Sequence, residues 1–215
     1  MMDEKQIYNI FKERNALLEG HFLLTSGLHS TMYLQCAKVL QYPDIAEKLC
    51  SQLAGSFKEK IDPHTKTFGV RVDVVISPAI GGIIVGHEVA KALKTRAIFA
   101  ERVDGKMALR RGFELKNGEN VLVVEDVITT GGSLKEIIQL AKEKGCNIIG
   151  AGSLVDRSGG KVKFEACPVR KGLSNGVKKI SLLNLEIQNY FEKSCPLCEQ
   201  GVPITYLGSR KNVKI

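Results

Sequence analysis

Thirteen consecutive residues, Val121 to Ser133, constrain this chain more than any other segment. Val121-Leu122-Val123-Val124 has the length and β-branched content of a strand buried on both faces. Glu125 and Asp126 follow where such a strand leaves its sheet, and in open α/β sheets ligands collect outside the carboxyl ends of strands. Val127 and Ile128 then lead into Thr129-Thr130-Gly131-Gly132-Ser133. Glycines let the backbone approach closely, successive N–H groups converge on one anion, and hydroxyls donate further hydrogen bonds. A helix-like segment from Leu134 adds its positive N-terminal end. Paired carboxylates repel an anion, so they suit sugar hydroxyls or a hydrated divalent cation beside it. A strand, an acidic turn and a ligand-free helix cap would use the same residue types. The fixed order of all the parts favours a phosphorylated ligand that also carries hydroxyls.

A second turn of this kind, Ser77-Pro78-Ala79-Ile80-Gly81-Gly82, follows the strand-like run Val72–Ile76 and opens a helix-like run, Gly82–Leu93. Alone it reads equally well as a plain glycine-rich turn; two such turns from neighbouring strands can hold two phosphates of one ligand. Further on, Ala97–Glu101 reads as a strand followed by a basic loop, and Asn120–Val124 as a strand. Leu134–Lys144 reads as a helix capped by Gly145, and Asn147–Val155 as the next strand. This alternation predicts an α/β fold with a parallel sheet covered on both faces. Upstream, residues 3–19 have helical spacing, with Ile7, Ile10, Phe11, Leu17 and Leu18 near one face. Phe22–Gln35 is extended, broken at Ser26-Gly27. Pro43-Asp44 opens a helix from Ile45 to Phe57, and Asp62-Pro63-His64 marks a loop. The tail has a strand-like Lys179–Leu185 and a helix-like Glu186–Phe191. At 215 residues one domain is expected.

At residues 123–133 the chain resembles the type I phosphoribosyltransferase family, whose signature for 5-phosphoribosyl 1-diphosphate (PRPP) this segment matches. The resemblance implies a Rossmann-like, mostly parallel sheet flanked by helices. It implies a core of about 62–178 and a small hood of about 1–61 with the tail 179–215. Three further segments are similar to orotate phosphoribosyltransferases. Phe22 to Leu34 looks like the pattern over the orotate ring, Ile76 to Ile83 like the pyrophosphate loop, and Phe99 to Phe113 like the mobile catalytic loop. Leu154-Val155-Asp156-Arg157 matches the strand end whose arginine binds the base. The better-known branch of that family carries lysines where this chain has Thr25, Gly81 and Val103. A bacterial branch shares a Cys-Pro-Leu-Cys tail like residues 195–198.

The resemblance implies transfer of the phosphoribosyl group from PRPP to orotate, with magnesium brought in by PRPP rather than held by a side-chain set. PRPP would lie against Glu125, Asp126, Val127, Ile128, Thr129, Thr130, Gly131, Gly132 and Ser133, and against Ala79, Ile80, Gly81 and Gly82. Arg102 and Lys106 would close over it, with Arg110 and Arg111 as substitutes for the absent lysines. Arg102, Lys106 and Asp126 are the expected catalytic residues. Thr129, Arg157, Ser26, Tyr33 and Leu34 would hold the orotate. A homodimer follows from the family's habit of covering one subunit's site with its partner's loop. Two alternatives stay open: transfer to a purine or uracil, and a PRPP-sensing regulator of the same fold.

The net charge of +8 invites a nucleic-acid reading. The lysines are dispersed, however, aromatic residues are 6% of the chain and Trp is absent, so no stacking platform stands out. A basic field equally suits a small, highly anionic substrate. No run is apolar enough to span a membrane and the start is polar, so a cytoplasmic protein with six reduced cysteines is expected. Cys36, Cys50, Cys146 and Cys167 read as small buried residues. Cys195-Pro196-Leu197-Cys198 has zinc-knuckle spacing, but no second pair follows, and one pair is half a tetrahedral site. Only distant ligands or a second subunit would complete it. His87 falls within a helix and reads as structural, whereas His29 lies in the base-binding segment.

Overall fold

The computed structural model describes residues 1–24, 26–58, 71–165 and 176–207. Its core is a six-stranded sheet of β3 (Val74–Pro78), β4 (Arg96–Val103), β5 (Lys106–Leu109), β6 (Asn120–Ile128), β7 (Asn147–Asp156) and β8 (Lys179–Asn184). The order is β5-β4-β3-β6-β7-β8, and every pairing is parallel except β4 with β5. Side chains alternate across this sheet, and the two faces feed two apolar clusters. Val74, Ile76, Val121 and Val123 pack against Leu134, Ile137, Ile138 and Ala141 of α5 (Gly132–Glu143). Val75, Leu122 and Val124 face α4 (Gly82–Leu93), α3 (Pro43–Gly55) and α1 (Glu4–Glu13) on the other side. Burial on both faces is why residues 74–76 of β3 and 121–124 of β6 are apolar without a break.

A second, four-stranded sheet forms the hood. Its centre is the antiparallel pair β1 (Leu17–Leu23) and β2 (His29–Leu34). Both edges come from the far end of the chain. β9 (Asn189–Tyr190) pairs antiparallel with β2, and β10 (Thr205–Tyr206) pairs parallel with β1. Two one-turn helices, α2 (Ala37–Leu40) and α6 (Pro196–Glu199), complete the described chain. The tail is thus divided, with β8 in the core sheet and residues 189–206 on the hood.

Several local expectations are corrected. The first helix ends at Glu13, not near residue 19. A capping box between Asp3 and Gln6 starts it, and Asn15 at φ 52 turns the chain out of it. Leu17 and Leu18 therefore belong to β1, where Leu17 is paired with Leu34. The expected basic loop after Glu101 is a hairpin. Asp104 and Gly105 both have positive φ, at 48 and 82, which is the two-residue turn matching strand twist. β6 runs on to Ile128, so Glu125 and Asp126 lie within it. Residues 186–191 form no helix, because Asn189 and Tyr190 pair with Ser30 and His29. The 62–64 loop, Cys167 and Thr25 lie outside the described residues. Cys36, Cys50 and Cys146 are buried, and burial pushes the Cys50 thiol up to about 12.

The N-terminal helix is joined to the core chiefly through Ile7 and Phe11, both in the larger cluster. Phe11→Ala should cost about 3–5 kcal/mol, read as a lower urea midpoint at an unchanged slope. A loss below about 1 kcal/mol would mean that this helix is not docked there.

Candidate active site

Strand order alone brings the two glycine turns together. From β3 the chain crosses toward β4, and from the adjacent β6 it crosses the other way, toward β7. A crevice opens at such a switch point beyond the carboxyl ends of the strands. The turn 78–82 and the turn 128–132 are its two rims. The first turn reaches the end of β6 just before the second: a Cβ on Gly81 would stand 2.8 Å from Asp126 Oδ2 and 2.9 Å from Oδ1. A side chain at 81 would displace that carboxylate, which accounts for glycine here. Gly131 caps α5 in the left-handed conformation, at φ 73, and a Cβ there would lie 2.6 Å from Val162. Thr129 and Thr130 remain exposed at the head of this turn, followed by the first turn of α5 with Gly132 and Ser133. The arrangement presents hydroxyls and a helix N-terminus to one point.

The carboxylates behind the turn are electrostatically uneasy. Burial, then the neighbouring Asp126, pushes the Glu125 carboxyl up to about 7, against a hydrogen bond with Ser133. Burial likewise raises Asp126, although backbone amides favour its charged form. No lysine or arginine among the described residues offsets either one. Two half-buried acids without a cationic partner suit a ligand bearing hydroxyls or a hydrated cation.

Beside this crevice, between core and hood, is a cavity of about 950 Å³. Ser26, Tyr33, Leu34, Thr129 and Arg157 all line it, so the five residues expected to hold the base share one wall system. Arg157 follows β7 directly. Its backbone N–H donates to Ile128 O at 2.8 Å, tying the ends of β6 and β7 together. The preceding Asp156 is fully buried; Lys179 and Ser158 bond to it, and despite burial they keep its pKa low. Arg157 itself has a buried Nε with no hydrogen-bond partner among the described residues. Burial lowers its pKa as well. A guanidinium lining a cavity, with one of its donors unsatisfied, suits a ligand that carries an acceptor.

Sequence reasoning missed the rest of the wall. Ser158, Lys161, Gln188, Asn189 and Leu207 also line the cavity. Tyr33 donates its hydroxyl to Leu207 O at 3.3 Å. Gln188, Asn189 and Leu207 belong to the tail and carry no motif; pairing of the tail with β1 and β2 brings them in. His29 is not among the lining residues, and its ring contacts His21 at 2.9 Å. His87 stands on the outer surface of α4 beside Glu88.

Arg102 and Lys106 flank the turn of the β4–β5 hairpin, away from the cavity wall. Arg102 makes a two-pronged pair with Glu136 of α5, at 2.9 and 3.2 Å, and Glu136 also accepts from Met107 N. Arg111 is similarly paired with Glu101 at 2.9 Å. Lys106 and Arg110 are exposed.

Paired glycine turns at a switch point, acids beneath one of them and a hooded cavity alongside suit a ligand that carries phosphates and hydroxyls, and the family match agrees: the chain is a phosphoribosyltransferase. Residues 40–175 match the phosphoribosyl transferase domain family. The orotate phosphoribosyltransferase of Caldicellulosiruptor bescii is 50% identical over 98% of this chain and 100% of its own length. That of Caldanaerobacter subterraneus is 48% identical over the same shares. The chain belongs to the orotate phosphoribosyltransferase family. Its fold is shared with the crystal structure of the Aeropyrum pernix orotate phosphoribosyltransferase, at a TM-score of 0.61 and 23% identity over 84% of this chain and 94% of that one.

The raised Glu125 pKa has a consequence for stability. Its protonated form fits the folded protein better, so the contribution is complete below the ordinary value of 4.5 and is lost as pH rises toward 7. Glu125→Gln should match the parent near pH 4.5 and exceed it by about 1–3 kcal/mol at pH 8 in urea unfolding. A pH-independent difference would contradict the burial argument.

Proposed function

We propose that this chain transfers the phosphoribosyl group of PRPP to orotate, forming orotidine 5′-monophosphate and pyrophosphate. One observation carries the reading most directly. Arg157, whose Nε is buried without a hydrogen-bond partner among the described residues, lines the cavity that also holds Thr129 and Thr130 at the glycine turn. An anionic base placed there meets a guanidinium, while its reaction partner is anchored one turn away. The names of the full-length relatives support orotate as that base.

Chemically, the bond from the anomeric carbon to pyrophosphate breaks as the ring nitrogen of the base forms its bond to that carbon. Residues 129–133 hold the 5-phosphate by backbone N–H groups and hydroxyls. Glu125 and Asp126 accept from the ribose hydroxyls and stabilise positive charge on the ring. Backbone amides of 79–82 face the leaving group. Ser26, Tyr33 and Leu34 fix the base against Arg157. Orientation and exclusion of water supply much of the rate, since no covalent step on the protein is required. The paired acids are hard oxygen donors, which fits a hydrated magnesium ion arriving with PRPP and supplying positive charge to its diphosphate.

Arg102 and Lys106 lie outside their own subunit's cavity wall, which supports a lid that serves a second copy of the chain. We therefore infer a homodimer. Arg102 would exchange Glu136 for the diphosphate on closure; their exposed pairing is too weak to forbid it. None of the described helices is long and apolar enough to cross a membrane. Together with the free thiols of Cys36, Cys50 and Cys146, this supports a cytoplasmic location.

Loss of orotate absorbance that depends on both PRPP and magnesium tests the reaction; consumption of uracil or a purine instead would overturn it. Arg157→Ala should raise KM for orotate by about 10- to 100-fold, with a much smaller change for PRPP. Lys106→Ala should depress kcat. A mixture of Lys106→Ala and Arg157→Ala chains should regain part of the lost activity if lid and cavity come from different subunits. No regain on mixing, with subunit exchange verified, would place the lid over its own site.

A further inference from the structure

Far from the motifs, four potential metal ligands converge. His21 on β1, His29 on β2, and Cys195 and Cys198 around α6 place one donor atom each within 4.8 Å of all the others. His21 Nε2 stands 2.9 Å from His29 Nδ1, 3.5 Å from Cys195 Sγ and 3.7 Å from Cys198 Sγ. Cys198 Sγ is 3.2 Å from His29 Nδ1. A tetrahedral zinc ion with bonds of about 2.0–2.1 Å to nitrogen and about 2.3 Å to sulfur requires ligand–ligand edges of about 3.3–3.8 Å. The observed distances scatter around that range. We propose that His21, His29, Cys195 and Cys198 bind a structural zinc ion that fastens the C-terminal tail to the hood.

Three independent features of the surroundings support a built site. First, the chain is irregular where a ligand needs it. Pairing of β1 with β2 slips between Glu19 and Phe22, so the adjacent His21 and Phe22 are both buried. A bulge re-aims a side chain that strict alternation would send outward. Second, the His21 tautomer is set. Its Nδ1 lies 2.8 Å from Val202 O, a group that only accepts, so Nδ1 carries the proton and a neutral ring turns its Nε2 lone pair toward the thiols. Third, the cluster is enclosed. His21, His29 and Cys195 are 3%, 5% and 1% exposed, Cys198 is half-buried, and among the described residues no carboxylate joins the donor set. Two thiolates with two imidazoles favour zinc over magnesium or calcium. With all four positions taken by protein, such an ion is structural, with no place for a reacting water.

The site also has a mechanical purpose. Residues 195 and 198 lie between β9 and β10, the two short edge strands of the hood. Two-residue strands hold little by themselves, and a metal crosslink between them and the central hairpin would lock both edges. Gln188, Asn189 and Leu207, on either side of the crosslink, line the cavity. Loss of the metal should therefore also raise KM for the ligand of that cavity; this last consequence rests on the function proposed above, whereas binding of the metal does not.

The test is the metal content of the full-length protein, purified under reducing conditions and dialysed against zinc-supplemented and then metal-free buffer. One zinc per chain is expected, with two thiols protected from a thiol reagent until a chelator is added. Replacement by cobalt should give the visible absorption of a tetrahedral ion with thiolate charge-transfer bands. Stripping the metal should lower Tm by about 5 °C or more. Cys195→Ser/Cys198→Ser should lose the metal. Should that variant fail to fold, His21→Cys provides the second reading: it keeps a four-ligand set and should retain one zinc, whereas His21→Ala should lose it. A wild-type protein that takes up no zinc, a Cys195–Cys198 disulfide in the protein as isolated, or full metal content in the double serine variant would overturn the proposal.

Discussion

The site depends on the lateral contact between β3 and β6. Parallel pairing, with Val74, Val75 and Ile76 aligned to Val121, Leu122 and Val123, fixes where both strands end. The turn after β3 then lies close against the end of β6, with Gly81 beside the Asp126 carboxylate. That closeness decides the residue at 81, the burial of the acids and hence their reluctance to ionise. A shift of one residue in this register would turn the apolar faces over and separate the two rims. The geometry of the candidate site is a by-product of core packing: Thr129 and Thr130 are exposed, but Val75, Leu122 and Val124, which place them, are buried.

This placement works against stability. Glu125 and Asp126 are held partly out of water with no positive neighbour among the described residues, an arrangement that the folded protein tolerates because two apolar clusters flank the sheet. Arg157 adds a donor left without a partner. A protein built for stability alone would neutralise these groups. Their persistence together at one end of the sheet is the physical mark of a site completed by its ligand.

What could be read from the chain follows the range of the forces involved. The strand-turn-helix segment 120–143 was legible because its buried strand, its glycine at positive φ and its helix start are all local. The α4 helix was legible for the same reason. The hairpin at 96–109 was missed although Asp104-Gly105 is a local signal; its charge suggested a loop, and the turn chemistry was outweighed. Leu17 and Leu18 fitted a helical face by spacing, yet Asn15 and the partner strand β2 decide their state. The tail residues Gln188, Asn189 and Leu207 lacked any signal, since they reach the cavity through pairing across more than 150 positions. For the same reason the Cys195–Cys198 pair looked isolated: its nearest histidines stand at the opposite end of the chain.

Drawing the centre of the hood from one end of the chain and both of its edges from the other also sets an order of assembly. During synthesis the β1–β2 hairpin emerges early with both of its edges open, and unpaired edges are templates for association with other chains. Residues 189–190 and 205–206 that cover them are made after all six strands of the core sheet. The core sheet can close around β3, β6 and β7 while the tail is still inside the ribosome. The hood therefore matures only after residues 189–206 have emerged, and a nascent chain that stalls before them holds a complete glycine turn beneath an unfinished roof.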